Sequence, residues 1–319
     1  MIIKLDLIDK KILYRLDINA RQSNSEIAKT IRLNKDSVGY RIKRLETQGI
    51  IRAYRAVIDS SRLGYMFYRV FFNFIDMQPK KLEELIDFLK NEKNVWWIAK
   101  LDGKWGLAFA IWVKSNKEFN EFYYKLELNF KPNIKESLVC QMMSYKNLSR
   151  KYLSEKKEDY ILTSVGEGGK QDIDSTDLKI MQFLAENARV PLINIAQELK
   201  LDSMTIYHRI KKLENKKIIQ GYKVDLDFTR LGREFYSVKI NLSKISQIKE
   251  IKNYILMLPE VTATTEAIGS YDIEFDLEVE NSERYFRIIN DLTARFDFIR
   301  EIIYFRVLEN YKILYMPEI

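Results

Sequence analysis

The sequence predicts an α+β fold of four domains: a small three-helix unit and a larger strand-and-helix unit, each present twice. Three observations carry that reading. The first part of the chain matches a later part without a gap. Each match opens on three short, capped helices, the last two joined by a tight turn. Each copy then continues in the order strand, helix, strand, strand, helix, strand.

The chain has 319 residues, enough for more than one core. Shifted by 168 residues, Leu5–Gly64 falls on Ile173–Gly232 with 23 identities in 60 positions. The shared residues include Asp6/Asp174, Asp9/Asp177, Asn19-Ala20-Arg21/Asn187-Ala188-Arg189, Arg41-Ile42-Lys43/Arg209-Ile210-Lys211, Tyr54/Tyr222 and Arg62-Leu63-Gly64/Arg230-Leu231-Gly232. A repeat this long is a domain duplication rather than a solenoid. Between the copies, residues 154–172 carry mixed charge, Gly166, Gly168 and Gly169, and little periodicity, which reads as a flexible linker. The run Gly166–Lys170 lacks the spacing, the Ser/Thr and the preceding strand of a phosphate loop.

In copy one, Asp6 caps a helix running to about Asp17 with Ile8, Ile12 and Leu16 on one stripe. Ser23 or Asn24 caps a short second helix carrying Ile27, Ala28 and Ile31. Asn34 caps a third, Lys35 to Gln48, whose apolar stripe is Val38, Ile42 and Leu45 and which Gly49 ends. Ile50–Ile58 reads as a β-hairpin or wing. This is the helix-turn-helix arrangement with a wing.

The third helix turns Asp36, Ser37, Tyr40, Lys43, Arg44 and Thr47 away from its apolar stripe, with Lys35 at its start. Short polar side chains near a helix N-terminus reach base edges, and Lys or Arg further along suit phosphates. Copy two offers Met204, Thr205, His208, Lys211, Lys212 and Asn215, and the wings add Arg52 and Arg55 against Lys223. These residues are expected to contact double-stranded DNA. Arg41 and Arg209 flank the stripe and read either as contacts or as structural ion-pair partners.

After Gly64 and Gly232 the element order is that of a ferredoxin-like βαββαβ domain. Strands are expected at Phe67–Ile75, within Val95–Val113 and at Glu136–Tyr145, and in copy two at Phe235–Leu242, within Val261–Val279 and at Glu301–Leu308. Helices are expected at Lys80–Lys90, Lys117–Asn129, Gln247–Met257 and Glu283–Arg295. Glu274, Asp276, Glu278 and Glu280 alternate with Phe275, Leu277 and Val279, which reads as a solvated or salt-bridged sheet face rather than a metal site. The matching positions in copy one are Ala108, Ala110 and Trp112, an apolar second face that calls for a partner sheet. The domains are thus 1–62 and 173–230 (winged helix-turn-helix), 63–153 and 231–319 (ferredoxin-like), and the linker 154–172.

The run Leu5-Asp6, Asp9, Asn19–Arg21, Ile27-Ala28, Val38, Arg41-Ile42, Leu45-Glu46, Gly49–Ile51, Tyr54, Asp59 and Leu63-Gly64 resembles the leucine-responsive regulator (Lrp/AsnC) family of transcription regulators. The resemblance implies a DNA-binding head followed by a ferredoxin-like domain that mediates dimerisation and often senses amino acids. It also implies a Gly-x-Tyr-Asp segment, present in copy two as Gly269-Ser270-Tyr271-Asp272 and replaced in copy one by Gly103-Lys104-Trp105-Gly106. Gly269, Tyr271 and Asp272 are therefore candidate effector contacts, Asp272 for an ammonium and the Gly amides for a carboxylate. The same residues also serve as a turn and a local cap, and both readings stand. By that resemblance, most family members carry one unit per chain and dimerise. A chain holding two is expected to form an intramolecular pseudo-dimer with its ferredoxin-like sheets face to face, though pairing between chains and further self-association are open.

The net charge of +8 is unevenly spread: residues 1–64 are +7, 170–232 are +2 and 233–319 are −4. The basic end suits a polyanion. A single Cys and a single His exclude an intrachain disulfide, a structural zinc site and paired-His chemistry. No cofactor and no catalytic residue are expected. No signal peptide or membrane span is visible at Met1–Leu16 or elsewhere, so a cytoplasmic, nucleoid-associated location without membrane contact is expected. The alternatives are an architectural, chromatin-like DNA binder without effector response and, more remotely, an enzyme like the siroheme decarboxylases, which the resemblance says use histidines in the second domain; here there are none.

Overall fold

The computed structural model of the protein describes residues 4–154 and 161–317. Copy one begins with helices α1 (Leu7–Ile18), α2 (Asn24–Ile31) and α3 (Lys35–Thr47), followed by strand β1 (Ile51–Ile58). Copy two begins with α6 (Ser175–Glu186), α7 (Leu192–Leu199), α8 (Ser203–Asn215) and β7 (Ile219–Leu226). The caps read from the sequence form: Asp6 accepts from Asp9 N, Ser23 from Glu26 N and Asn34 from Ser37 N. Gly49, at φ +69°, ends the turn after α3 in the left-handed region, where copy two tolerates Lys217.

The expected wing is not a hairpin within each copy. β1 pairs antiparallel with β7, so each head completes the other's ribbon. Arg55 lies opposite Lys223, its own counterpart at the 168-residue offset, and a pseudo-two-fold axis therefore runs through that pair. Hydrogen bonds obey the same axis: Ala20 N–H donates to Tyr222 O at 2.8 Å, and Ala188 N–H to Tyr54 O at 2.8 Å. The two heads share one hydrophobic core, from Ile12, Leu16 and Ile42 through Tyr54 and Tyr222 to Ile180, Leu184 and Ile210.

Copy one's larger domain runs β2 (Met66–Phe74), α4 (Pro79–Asn91), β3 (Val95–Gly103), β4 (Leu107–Val113), α5 (Asn116–Phe130) and β5 (Ile134–Leu148). Copy two's runs β8 (Glu234–Leu242), α9 (Ile248–Met257), β9 (Val261–Ile268), β10 (Ile273–Val279), α10 (Ser282–Arg295) and β11 (Ile299–Ile313). Each is the expected βαββαβ order, with helices packed on one face. The last strands are longer than the sequence suggested, 15 residues each. The extra length crosses to the other copy: β5 pairs with β9, and β11 with β3. Since β5 also pairs with β2 and β11 with β8, the eight strands close on themselves, which leaves neither sheet with an open edge there.

The linker is partly structured, against expectation. Its β6 (Ile161–Val165) extends the sheet on β5, and Gly166 N–H and Gly168 N–H donate to Asp59 Oδ1 (3.0 Å) and Ser61 Oγ (3.1 Å). The Asp59 carboxylate and neighbouring hydroxyl supply the partners that its composition concealed. Residues 155–160 of that segment lie outside the described residues.

The faces between the two sheets are unlike. Copy one contributes Ala99, Leu101, Trp105, Ala108 and Phe71, with Ala110 and Trp112 also buried. Copy two contributes the acids of β10, and Glu274 and Glu278 are almost wholly buried. Of the two readings, solvated or salt-bridged, Glu274 and Glu278 take the second, and the face lies in the interior. Arg69 of β2 and Lys239 of β8 both bond Glu274, and Arg150 chelates Glu278 with contacts at 3.0 Å while holding Asp17 of α1 at 2.5 Å. Burial alone would raise the Glu274 carboxyl, but Arg69 and Lys239 more than offset it and hold it low; burial pushes Asp276, less directly paired, up to about 6.

Candidate nucleic-acid interface

The site is the outward face of α3 and α8, held up by the shared ribbon. One internal triad fixes each recognition helix. Arg41 Nη1 reaches Asp6 (2.7 Å) and Asp9 (2.8 Å), and Arg209 Nη1 reaches Asp174 (2.7 Å) and Asp177 (2.8 Å). Of the two readings left open for Arg41 and Arg209, the structure supplies the ion pairs. These contacts tie the middle of the recognition helix to the first turn of the first helix. Tyr54 Oη to Glu46 and Tyr222 Oη to Glu214, both 2.7 Å, then tie each helix to its ribbon strand.

On the outward face Lys35, Asp36, Tyr40 and Lys43 are exposed, Tyr40 to 72%, and Ser37 is half-buried at the N-terminal turn. A shallow depression of about 450 Å³ is lined by Asp36, Ser37, Tyr40, Arg41 and Arg44. In copy two Met204, His208, Lys211 and Lys212 are exposed and Thr205 is half-buried, its Oγ1 turned to the Asp202 cap at 2.5 Å. Lys35 and Lys212 have no ion-pair partner among the described residues; Lys43 lies 3.9 Å from Glu46, and Lys211 2.8 Å from Glu214.

Four expected DNA contacts have other partners. Arg44 Nη2 bonds Asp9 at 2.5 Å and so shares the carboxylate with Arg41. Arg52 pairs with Asp225 of the opposing strand at 2.9 Å. Arg55 donates to the carbonyls of Ala185 and Glu186 at the end of α6 and stacks on Tyr315. Lys223 lies in the interior between Asn147 and Asp17, where burial pushes its ammonium down to about 8. The physical reason is common to the last three: a wing that pairs with its counterpart turns its basic side chains to the seam.

The seam between the heads is not among the contacts that the sequence predicts. Asn19 and Asn187 each accept from the backbone of the Arg two residues on, at 2.9 Å. Arg21 then donates to Ala188 O (2.9 Å) and lies over Tyr222; Arg189 bonds Asn24 (2.9 Å) and lies over Tyr54. The signal was present as the Asn-Ala-Arg identity between the copies.

The candidate effector turn is also engaged. Asp272 Oδ2 accepts from Leu242 N at 2.7 Å, and Tyr271 is half-buried, its hydroxyl pushed by burial up to about 12. Gly269, at φ +80°, passes so close to β5 that a Cβ would meet Val139 O at 2.9 Å.

With known proteins the agreement is of two kinds. Residues 5–46 match the model of the AsnC-type helix-turn-helix domain, and residues 173–220 that of a winged helix-turn-helix DNA-binding domain. The HTH-type transcriptional regulator LysM of Saccharolobus solfataricus is 32% identical over 126 residues, covering 40% of this chain and 87% of that protein. An uncharacterized HTH-type transcriptional regulator of Pyrococcus furiosus is 36% identical over 120 residues, 37% of this chain and 78% of that one. Each such match is about one copy long. Across both copies, the crystal structure of the siroheme decarboxylase NirDL superposes with a TM-score of 0.67 over 98% of this chain and 94% of that one, at 14% identity, a likeness of fold. Two helix-turn-helix heads and relatives that are regulators throughout the matched length identify the chain as a member of the Lrp/AsnC family of DNA-binding transcriptional regulators.

Proposed function

We propose that one chain acts as a complete pseudo-dimer, placing its two heads on two half-sites of one double-stranded DNA operator. The observation that carries this is the β1–β7 ribbon, with its pseudo-two-fold axis at Arg55 and Lys223. A two-fold axis between heads matches the two-fold axis of a duplex, and half-sites then lie about one helical turn, ~34 Å, or a multiple apart. Lys35, Lys43, Lys211 and Lys212 make phosphate contacts, and Asp36, Ser37, Tyr40, Met204, Thr205 and His208 face base edges. The location is the nucleoid in the cytoplasm.

The reading includes no catalytic step and no cofactor. The sole histidine, His208, is exposed on α8, away from the second ferredoxin-like domain. Siroheme added to the purified protein should therefore be neither held nor decarboxylated, as its absorption spectrum would report. An amino-acid effector belongs to the proposal at the Gly269–Asp272 turn: Asp272 Oδ1 has no hydrogen-bond partner among the described residues and suits an ammonium group. Footprinting on DNA upstream of its own coding region, with and without a panel of amino acids, tests the whole. A discrete doubled footprint supports a regulator; protection that spreads without sequence preference supports the architectural alternative.

A further inference from the structure

Comparing the copies separates two classes of position on each head. Much of the framework of each head recurs unchanged at an offset of 168: the Asp6/Asp9/Arg41 triad and Glu46 with Tyr54 keep the same bonds, and Asn19–Arg21 the same residues. The recognition face differs at almost every position. Asp36 becomes Met204, Ser37 becomes Thr205, Tyr40 becomes His208 and Thr47 becomes Asn215. Lys43 and Lys211 are the shared exception, and a phosphate contact carries no base information.

The backbone framework at these differing positions is the same. Asn34 caps α3 through Ser37 N at 2.7 Å, and Asp202 caps α8 through Thr205 N at 2.8 Å. Asp36 and Met204 therefore occupy the same site in the first turn, both exposed, and differ only in chemistry. A carboxylate accepts hydrogen bonds and gives none, so it suits the N4 amino group of cytosine and repels the acceptors of guanine. A thioether chain gives and accepts almost nothing and suits the methyl group of thymine.

Resting on the DNA-binding reading above, we propose that the chain reads a non-palindromic operator. At equal distances from its centre the copy-one half-site has cytosine under Asp36, and the copy-two half-site has thymine under Met204. The fused chain makes this possible, because a dimer of identical chains has only one recognition helix to offer twice. The chain also binds such a site in one orientation, which a palindrome does not impose.

Selection from a random duplex library with the full-length chain tests this, alongside the variants Asp36→Met and Met204→Asp. Both positions are exposed, and thermal melting checks that each variant folds. The wild type should enrich an asymmetric site with cytosine on one side and thymine on the other. Asp36→Met should convert the cytosine position to thymine and lose about tenfold or more affinity for the original site. Met204→Asp should convert the thymine position to cytosine. A palindromic wild-type consensus, or variants that leave both positions unchanged, would overturn this proposal alone. Failure to enrich any sequence would overturn the reading of a specific operator and this proposal with it.

Discussion

Asp9 carries two guanidiniums on a carboxylate whose side chain is 2% exposed. Sequence spacing placed Arg44 on the outward face correctly, but could not show that Asp9, 35 positions earlier, would draw it back. Removing Asp9 takes a charged partner from two guanidiniums that are themselves partly solvated, and Arg41 keeps Asp6, so Asp9→Ala should cost about 1–3 kcal/mol in urea unfolding. Lys43 is 81% exposed, and Lys43→Ala should change stability by less than about 0.5 kcal/mol. Its effect should appear on DNA instead, as weaker binding to all sequences and a salt slope smaller by about 1. A charge-reversal comparison of the two heads therefore belongs on Lys35 and Lys43 against Lys211 and Lys212, with Arg44 left intact. Asp276 gives the pH dependence. Its folded value of about 6 lies above the ordinary carboxylate value of 3.8, because burial disfavours the charged form. Between those values the folded chain holds the extra proton, so this group's contribution to stability falls as pH rises through the window. Asp276→Asn should flatten that slope, and urea midpoints at pH 4.5, 5.5 and 7 would read it.

At the scale of elements, the helices were the most legible part of the sequence. Their caps and 3.6-residue stripes are local, and the boundaries fall within a residue or two of expectation. The strands were legible as strands but not as partners. β1 resembles any wing, and only the other copy decides that it pairs across a pseudo-two-fold axis. β5 and β11 exceed the lengths that their patterning predicts because their extra residues, such as Lys312 and Tyr311, alternate poorly; their pairing lies in the other copy's β9 and β3. The two matched glycines show the same lesson. Gly269, the effector or turn candidate, and Gly103 sit where each copy's hairpin crosses the other's last strand. A Cβ on Gly103 would meet Tyr304 O at 2.7 Å, and one on Gly269 would meet Val139 O at 2.9 Å. Both have positive φ, +128° and +80°. Gly103→Ala and Gly269→Ala should each cost about 1–3 kcal/mol, from backbone strain at the seam. Differential scanning calorimetry should show the loss in one transition if the two sheets unfold together. Unfolding of one half alone would place the seam elsewhere.

The whole molecule is symmetric in its backbone and asymmetric in its charge. Copy two's inner sheet face brings Glu274 and Glu278, and copy one's brings Ala108 and Trp112, while Arg69 and Arg150 come from copy one to meet the acids. Two copy-two sheets packed together would leave Glu278 without Arg150 and Glu274 with Lys239 alone, and two copy-one sheets would bury Arg69 without a carboxylate. Buried charges left unpaired are costly, so the interior selects the unlike pair. The acidic row was visible in the sequence; its partners were not, because Arg69 and Arg150 lie more than a hundred residues away. In the proposed function, one chain supplies both heads of a DNA-reading pseudo-dimer. Native mass spectrometry of the protein on a short duplex carrying one pair of half-sites measures it directly. One chain per duplex is expected, with both half-sites protected in the same complex. Two chains per duplex, each protecting a single half-site, would contradict it.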